Sequence, residues 1–431
     1  MKKAIPVFLI LAVVLSSFSF AMADDVTTIK VWHPRGAGAN GEMILSSVEK
    51  FNETVGKEKG IFVEEEFQGG YGEVVTNSMN AITAGNPPEI VVAEHSTGVP
   101  VLASEGVLAN LSELIERDSW DIDNVFSGLL TYAYDEDGNI IALPYIRSTP
   151  VLYYNKTMTD ALGISIPIDA ALSIEEFEEI AKKLNVTDGD KPVYGFSLQS
   201  NVWYTQNFLY QLGSNLYNED GSRCPALEDG TMLTMLSAWR SWVDEGWCLP
   251  FVTTNDEAYL EEQFALGNIA MILDSTGKMG NIFNTVAEME NSFEIGLSFL
   301  PSFGAPSAPT GGGNMAIIAE GNTEEEIDAA WEFMKFLLTP EQDALNHVNT
   351  GYVPSTKSAA DMDIVKELWE KEPYKQVGFN QLEYAQDAPL SEVGGEWGAA
   401  FKSVFSALIQ ENTITPEQAV EQLKKDAETI F

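Results

Sequence analysis

Val26-Thr27-Thr28-Ile29-Lys30-Val31-Trp32 is rich in β-branched and aromatic residues and reads as a strand. Its continuation decides the fold class. Gly36–Phe51 carries apolar residues at helical spacing, and Ile61–Phe67 is a second strand. Glu73–Thr83 is a short helix closed by Gly85-Asn86-Pro87-Pro88, and Glu89–Ala93 is a third strand, apolar beyond its first residue. Strands alternating with helices in this way imply a mostly parallel sheet with helices on its faces, an α/β fold.

Upstream of this unit, Lys2 and Lys3 precede the apolar run Pro6–Val14, and Ala21-Met22-Ala23 supplies the small residues that a signal peptidase reads. Residues 1–23 are therefore expected to be a cleaved signal peptide, with a mature chain beginning at Asp24 in the periplasm or on the outer face of the cytoplasmic membrane. The apolar run is shorter than the ~20 residues a membrane span needs. No cysteine lies near the cleavage point to carry a lipid.

Downstream, Asp135-Glu136-Asp137-Gly138-Asn139 has the residue types of a calcium loop but not its twelve-residue spacing, and reads as a hairpin turn. Ser173 with Glu176, Thr323 with Glu326, and Thr415 with Gln418 are capping-box pairs. They open amphipathic helices over Ile174–Leu184, Glu324–Leu338 and Pro416–Ile430. Pro301–Gly313 is a Pro/Gly/Ser-rich loop entering a strand at Met315–Ala319.

The 431 residues suffice for two or three domains. Their 65 acidic against 24 basic side chains give a net charge of −41, dispersed along the chain. Such a surface repels phosphodiester backbones and anionic headgroups, which argues against nucleic acid as a partner. Cys224 and Cys248, the only cysteines, flank a helical stretch over Thr231–Val243. In an oxidising compartment an even count favours a disulfide between them. Two cysteines alone do not make a zinc site, and His33, His95 and His347 show no paired spacing, so no metal or other cofactor is expected.

Catalytic motifs are missing. There is no G-x-S-x-G elbow, and the phosphate-loop-like Asp274-Ser275-Thr276-Gly277-Lys278 has Ile272 where that motif requires Gly. Paired carboxylates abound in so acidic a chain, so an exported glycosidase stays open as an alternative.

At Ser148-Thr149-Pro150-Val151-Leu152-Tyr153-Tyr154-Asn155-Lys156 the chain resembles the extracellular solute-binding proteins of family 1, which serve ABC importers for sugars and related solutes. Further anchors are Trp32-His33, Phe264–Met271, Gly311-Gly312, Thr350–Lys357 and Thr415–Ala419. Within the family the chain looks closest to the sn-glycerol-3-phosphate-binding proteins. The resemblance implies a non-enzymatic, monomeric binding protein of the type II periplasmic-binding-protein fold. Its partners would be a small polar solute and the membrane permease subunits.

Two α/β lobes would then enclose a ligand cleft, one lobe being residues 24–147 plus 275–320 and the other 148–274 plus 321–431. The crossings would fall near Pro144–Pro150, Ile272–Ser275 and Ile318–Gly321. The family's ligand contacts fall on Tyr71, Glu94, Ser148, Ser275, Gly312 and Tyr352, with Trp203, Glu396 and Trp397 as further candidates. The subgroup's phosphate-pairing arginine has no basic counterpart in Val393–Gly398, where Glu396 is the best match. A carbohydrate or polyol is therefore expected ahead of glycerol 3-phosphate or a glycerophosphodiester, unless Arg147 or Lys278 reaches the cleft to supply the missing charge.

Overall fold

β1 (Thr27–His33) buries Ile29, Val31 and His33 and leaves the residues between them partly exposed, the two-residue period of a strand with unequal faces. In the computed structural model, which describes residues 26–186, 191–250, 256–387, 389, 391 and 393–431, it anchors the first of two main sheets. The signal peptide expected at residues 1–23 lies outside the described residues.

β2 (Ile61–Phe67) and β3 (Ile90–Glu94) flank β1 in parallel. After these come β4 (Leu143–Ser148), β5 (Pro150–Asn155), β6 (Phe196–Leu198), β7 (Cys248–Pro250), β8 (Met271–Ser275), β9 (Ile295–Ser298) and β10 (Gly311–Ile317). The first sheet has the order β2-β1-β3-β10-β4, with β10 antiparallel to both of its neighbours. The second has the order β8-β5-β9 and is wholly antiparallel; β6 and β7 form a small parallel pair.

Each sheet has its own core. Helices Ala39–Glu53 and Glu324–Leu337 pack on the first, where Phe51 meets Phe333 edge to face at 5.0 Å. On the second, alternation along β5 feeds two cores. Leu152 and Tyr154 face the aromatic cluster of Phe177, Trp239, Trp242 and Trp247, while Val151 and Tyr153 face Phe264, Ile282 and Leu297. Burying an aromatic of this size contributes about 3–5 kcal/mol by the cost of its truncation.

All three capping boxes form, with the helices starting at Ile174, Glu324 and Pro416. Asp135 closes its hairpin turn through the Asp135 N–H to Asn139 C=O bond at 2.9 Å.

Two expectations are corrected. The lobe boundaries shift, because β9 pairs with β5 in the second sheet, whereas helix Glu324–Leu337 and Tyr352 join the core of the first. Neither Ile272–Ser275 nor Ile318–Gly321 is a crossing: β8 lies entirely within the second sheet, and Ile318 continues from β10 into the first core. The chain crosses at Thr149, between β9 and β10, and again before Val377, which returns to the second lobe. The disulfide is also absent. Cys224 and Cys248 are free, buried thiols, and burial raises the pKa of both. Each thiol has its own local partner, Cys224 Sγ toward Asn215 C=O at 3.9 Å and Cys248 Sγ toward Leu249 C=O at 3.9 Å.

Candidate ligand-binding cleft

Both sheets end on one cleft of about 1190 Å³. β3 delivers Glu94, β4 delivers Ser148, β8 delivers Ser275 and β10 delivers Gly312; Tyr71 begins the helix after β2, and Tyr352 follows helix Pro340–Thr350. All six residues expected from the family pattern line it together, and Trp203 joins them. Glu396 and Trp397 do not. Trp397 is fully buried in the second lobe's core, and Glu396 is exposed one residue before it on the same helix. The helical turn places Gly394 and Gly395 at the cleft and carries the next two side chains past it.

Glu94 is fixed by its own loop. Its Oε2 accepts from the backbone N–H groups of Ser96 at 2.9 Å and Thr97 at 2.6 Å, and from the Thr97 hydroxyl at 2.8 Å. Its Oε1 stands 2.8 Å from His95 Nδ1. Burial raises the carboxyl's pKa, but His95 and these donors outweigh it and bring it to about 2. The Ser96 hydroxyl is shared between Oε2 at 3.0 Å and Oε1 at 3.2 Å, so Oε1 keeps lone-pair capacity for solute hydroxyls.

His95 is buried, and its Nε2 lies 3.6 Å from Asp387 Oδ1, a carboxylate that sequence reasoning did not single out. Asp387 also accepts the Thr310 hydroxyl at 2.5 Å. Burial and Arg147 lower the His95 pKa, but Glu94 and Asp387 together hold it above the usual histidine value. The imidazole thus stands between two carboxylates, one of them on the C-terminal segment. The C-terminal part of the site accordingly carries Asp387 where the resemblance led us to look for an arginine or its replacement.

Three glycines in a row are explained by packing. A Cβ on Gly311 would lie 2.6 Å from the Trp203 ring, and one on Gly313 3.0 Å from Tyr71. Gly312 has φ +89° and a Cβ there would fall 1.9 Å from Ile146 C=O, so no other residue fits. Trp203 donates from Nε1 to Thr310 C=O at 3.0 Å and keeps its half-buried ring on the cleft. Ser275 accepts from Gly277 N–H at 3.1 Å, which leaves its own O–H to donate. Tyr352 accepts from Asn40 Nδ2 at 3.3 Å.

The cations sort differently from expectation. Arg147 is fully buried behind β10, bonded to Gly311 C=O, Leu129 C=O, Asn314 and Thr310, and does not reach the cleft. Lys278 reaches it but is paired with Glu261 at 2.8 Å and Glu257 at 3.5 Å. Arg35, which sequence reasoning missed, stands in the cleft. It donates to the Tyr71 hydroxyl at 2.7 Å and lies over the rings of Tyr71 at 5.0 Å and Tyr352 at 5.5 Å. Its loop position after β1 gave no periodic signal.

Residues 46–373 match the family model of bacterial extracellular solute-binding proteins. The chain is 27% identical over 375 residues to the sn-glycerol-3-phosphate-binding periplasmic protein UgpB of Rhizobium meliloti, covering 85% of this chain and 84% of that one. It superposes on UgpB from Mycobacterium tuberculosis in complex with glycerophosphocholine with a TM-score of 0.79 at 23% identity, covering 94% of this chain and 98% of that one. The GacH receptor of Streptomyces glaucescens, solved unliganded and with acarbose, gives 0.78 at 18% identity over 94% and 98% of the chains. The fold is the two-lobed type II periplasmic-binding-protein fold.

The chain belongs to the bacterial extracellular solute-binding protein family. Members of this family are binding components of ABC importers and not enzymes; they work with a small solute and with membrane permease subunits, and this chain does the same. Among the described residues no helix is long and apolar enough to cross a membrane.

Proposed function

We propose that this protein captures a carbohydrate or polyol-type solute by closing its lobes around it and passes it unchanged to the permease. The observation that carries this reading is the meeting of Tyr71, Glu94, Ser148, Ser275, Gly312 and Tyr352 from both lobes in one cleft, with the Trp203 ring beside them. Glu94 and the serines suit hydroxyl groups, and an aromatic face suits the apolar face of a sugar ring. The protein is exported by cleavage after Ala23 and acts as a monomer. Glycoside hydrolysis would need one carboxyl kept protonated as a general acid. Glu94 and Asp387, which line the cleft, are instead both held well below the usual carboxylate range, Glu94 by His95 and its loop donors, Asp387 by His95 and Arg147, in each case against burial; the carboxyl held well above that range, Asp274, is buried behind Ser275 and does not line the cleft.

The second reading, glycerol 3-phosphate or a glycerophosphodiester, is favoured by the name of the Rhizobium meliloti relative. A thermal-shift panel of sugars, polyols, glycerol phosphates and glycerophosphodiesters, followed by calorimetry on the hits, tests both. Recovery of the bound solute intact supports the proposal. Chemical conversion of the solute would refute it, and binding confined to phosphorylated compounds would favour the second reading.

A further inference from the structure

Of the cleft's charged groups, two stand outside its ion pairs, one acidic and one basic. Its lining holds Glu94, Asp220, Glu257 and Asp387 against His95, Lys278 and Arg35. His95 lies between Glu94 and Asp387, and Lys278 is held by Glu257 and Glu261. Asp220 accepts from the Ser222 N–H at 3.1 Å. Arg35 is the cation left over: it meets the hydroxyls and ring faces of Tyr71 and Tyr352, feels Glu257 only at longer range, and among the described residues makes no ion pair. Its Nε–H is buried without any hydrogen-bond partner. An unpartnered buried donor is costly, and on a guanidinium that donor is one tine of a planar fork. The two tyrosines that hold the group are themselves cleft residues, so the fork is fixed beside any bound solute.

We propose that Arg35 is an anion subsite, and that the solute is a hydroxylated monocarboxylate, a sugar acid of the uronic or aldonic type. Its carboxylate would meet Arg35 and its hydroxyls would reach toward Glu94 and Ser148. The inference rests on the carbohydrate reading above and adds one charged group to it. The guanidinium fork matches the two oxygens of a carboxylate. A single negative charge also fits the surroundings better than two. Glu94, Glu257 and Asp387 line the same cleft, and a phosphate dianion would face all three with only one unpaired cation to offset it.

Calorimetry with matched pairs tests this: glucuronate against glucose, galacturonate against galactose, gluconate against glucitol, with glycerol 3-phosphate alongside. In the wild type at low salt, at least one acid should bind ten-fold or more tighter than its neutral partner, and the preference should shrink at 0.5 M salt. Arg35→Gln should lower the acid-to-neutral affinity ratio by ten-fold or more. Arg35→Lys should restore part of it, since the charge returns without the fork. Melting temperatures of both variants verify that they are folded, and the Lys variant carries the test if the Gln variant is not.

Equal or better binding of every neutral partner, or an Arg35→Gln ratio equal to that of the wild type, would overturn the subsite and leave Arg35 as a support for Tyr71 and Tyr352. Tighter binding of glycerol 3-phosphate than of any acid would overturn the carboxylate assignment. Neutral sugars binding without the acids defeats this inference alone. Failure of every sugar, polyol and sugar acid to bind defeats the carbohydrate reading as well.

Discussion

Each main sheet carries a carboxylate on a strand that ends at the cleft: Glu94 closes β3 and lines the cleft, and Asp274 stands one residue from the end of β8, outside the lining. Their fates are opposite. Glu94, with its side chain 20% exposed, is surrounded by hydrogen-bond donors and stays ionised. Asp274 is 1% exposed, and its Oδ1 accepts from Ser275 N–H at 2.6 Å and Tyr204 O–H at 3.4 Å. Burial first, then the nearby Glu261 and Glu257, push its pKa well above the usual range. Depth of burial does not by itself decide the state of a cleft carboxylate; the count of donors facing it does. One acid is prepared for a ligand, and the other is held in the wall behind Ser275.

The largest expected effect separates the two by ligand affinity. Glu94→Gln replaces charge-assisted bonds to solute hydroxyls with neutral ones and should weaken binding by about 1.5–3 kcal/mol, roughly 10–150-fold. Asp274→Asn should change affinity by less than about three-fold. Titration calorimetry with the solute identified above reads both, and an equal loss in the two variants would erase the distinction.

Stability against pH separates them next, and the signs oppose. The folded pKa of Asp274 is raised, so its contribution is fully present below its unfolded value near 3.8 and is lost as the pH rises through the folded pKa. The folded pKa of Glu94 is lowered, so its contribution is present above about 4.5 and is lost as the pH falls toward about 2. His95 behaves like Asp274: its raised pKa gives stability fully present below about 6.5 and lost as the pH rises through the folded value. Asp274→Asn should therefore be neutral or stabilising at pH 7–8, by roughly 1 kcal/mol, with the benefit vanishing near pH 4. Urea unfolding at pH 4, 6 and 8 measures this. A variant that is less stable than the wild type at pH 8 would show that the Asp274 carboxylate is welcome where it is.

The same contrast shows what was legible in the sequence. The first three strands, the capped helices and the α/β class follow from local period and caps, which are properties of neighbouring residues. The six cleft residues came from a family pattern, and they converge because five sit at a strand end or helix start and Tyr352 just past a helix end. Asp387 and Arg35 lie on loops, where no period marks a residue and only tertiary placement gives it a neighbour. Glu396 comes from Val393–Gly398, where residue types alone do not show which side chains a helix turns inward; one helical turn takes Glu396 to solvent. The lobe boundary at Ile272–Ser275 failed for a related reason. β8 reads as a strand in either lobe, and only its pairing with β5 assigns it to the second. The disulfide was inferred from an even count, which carries no information on distance.

The smallest predicted effect concerns Lys278. Its ammonium is 27% exposed and pairs with Glu261 and Glu257, whose side chains are 20% and 36% exposed. A pair so open to solvent is worth about 0.2–1 kcal/mol, and Lys278→Met should destabilise by no more than that. The informative quantity is its coupling to Asp274. Asp274 raises the Lys278 pKa, and Lys278 in turn opposes the upward shift of Asp274. That mutual term exists only while Asp274 carries charge. A double-mutant cycle between Lys278→Met and Asp274→Asn, run at pH 8 and pH 5, should accordingly give a coupling of at most about 0.5 kcal/mol that is smaller at the lower pH. A coupling of the same size at both pH values would mean that Asp274 is ionised throughout, like Glu94, and that the two ends of the cleft are alike after all. A coupling absent at both would place the Asp274 proton on the carboxyl across the working range and make its neighbour Lys278 a partner of Glu257 and Glu261 alone.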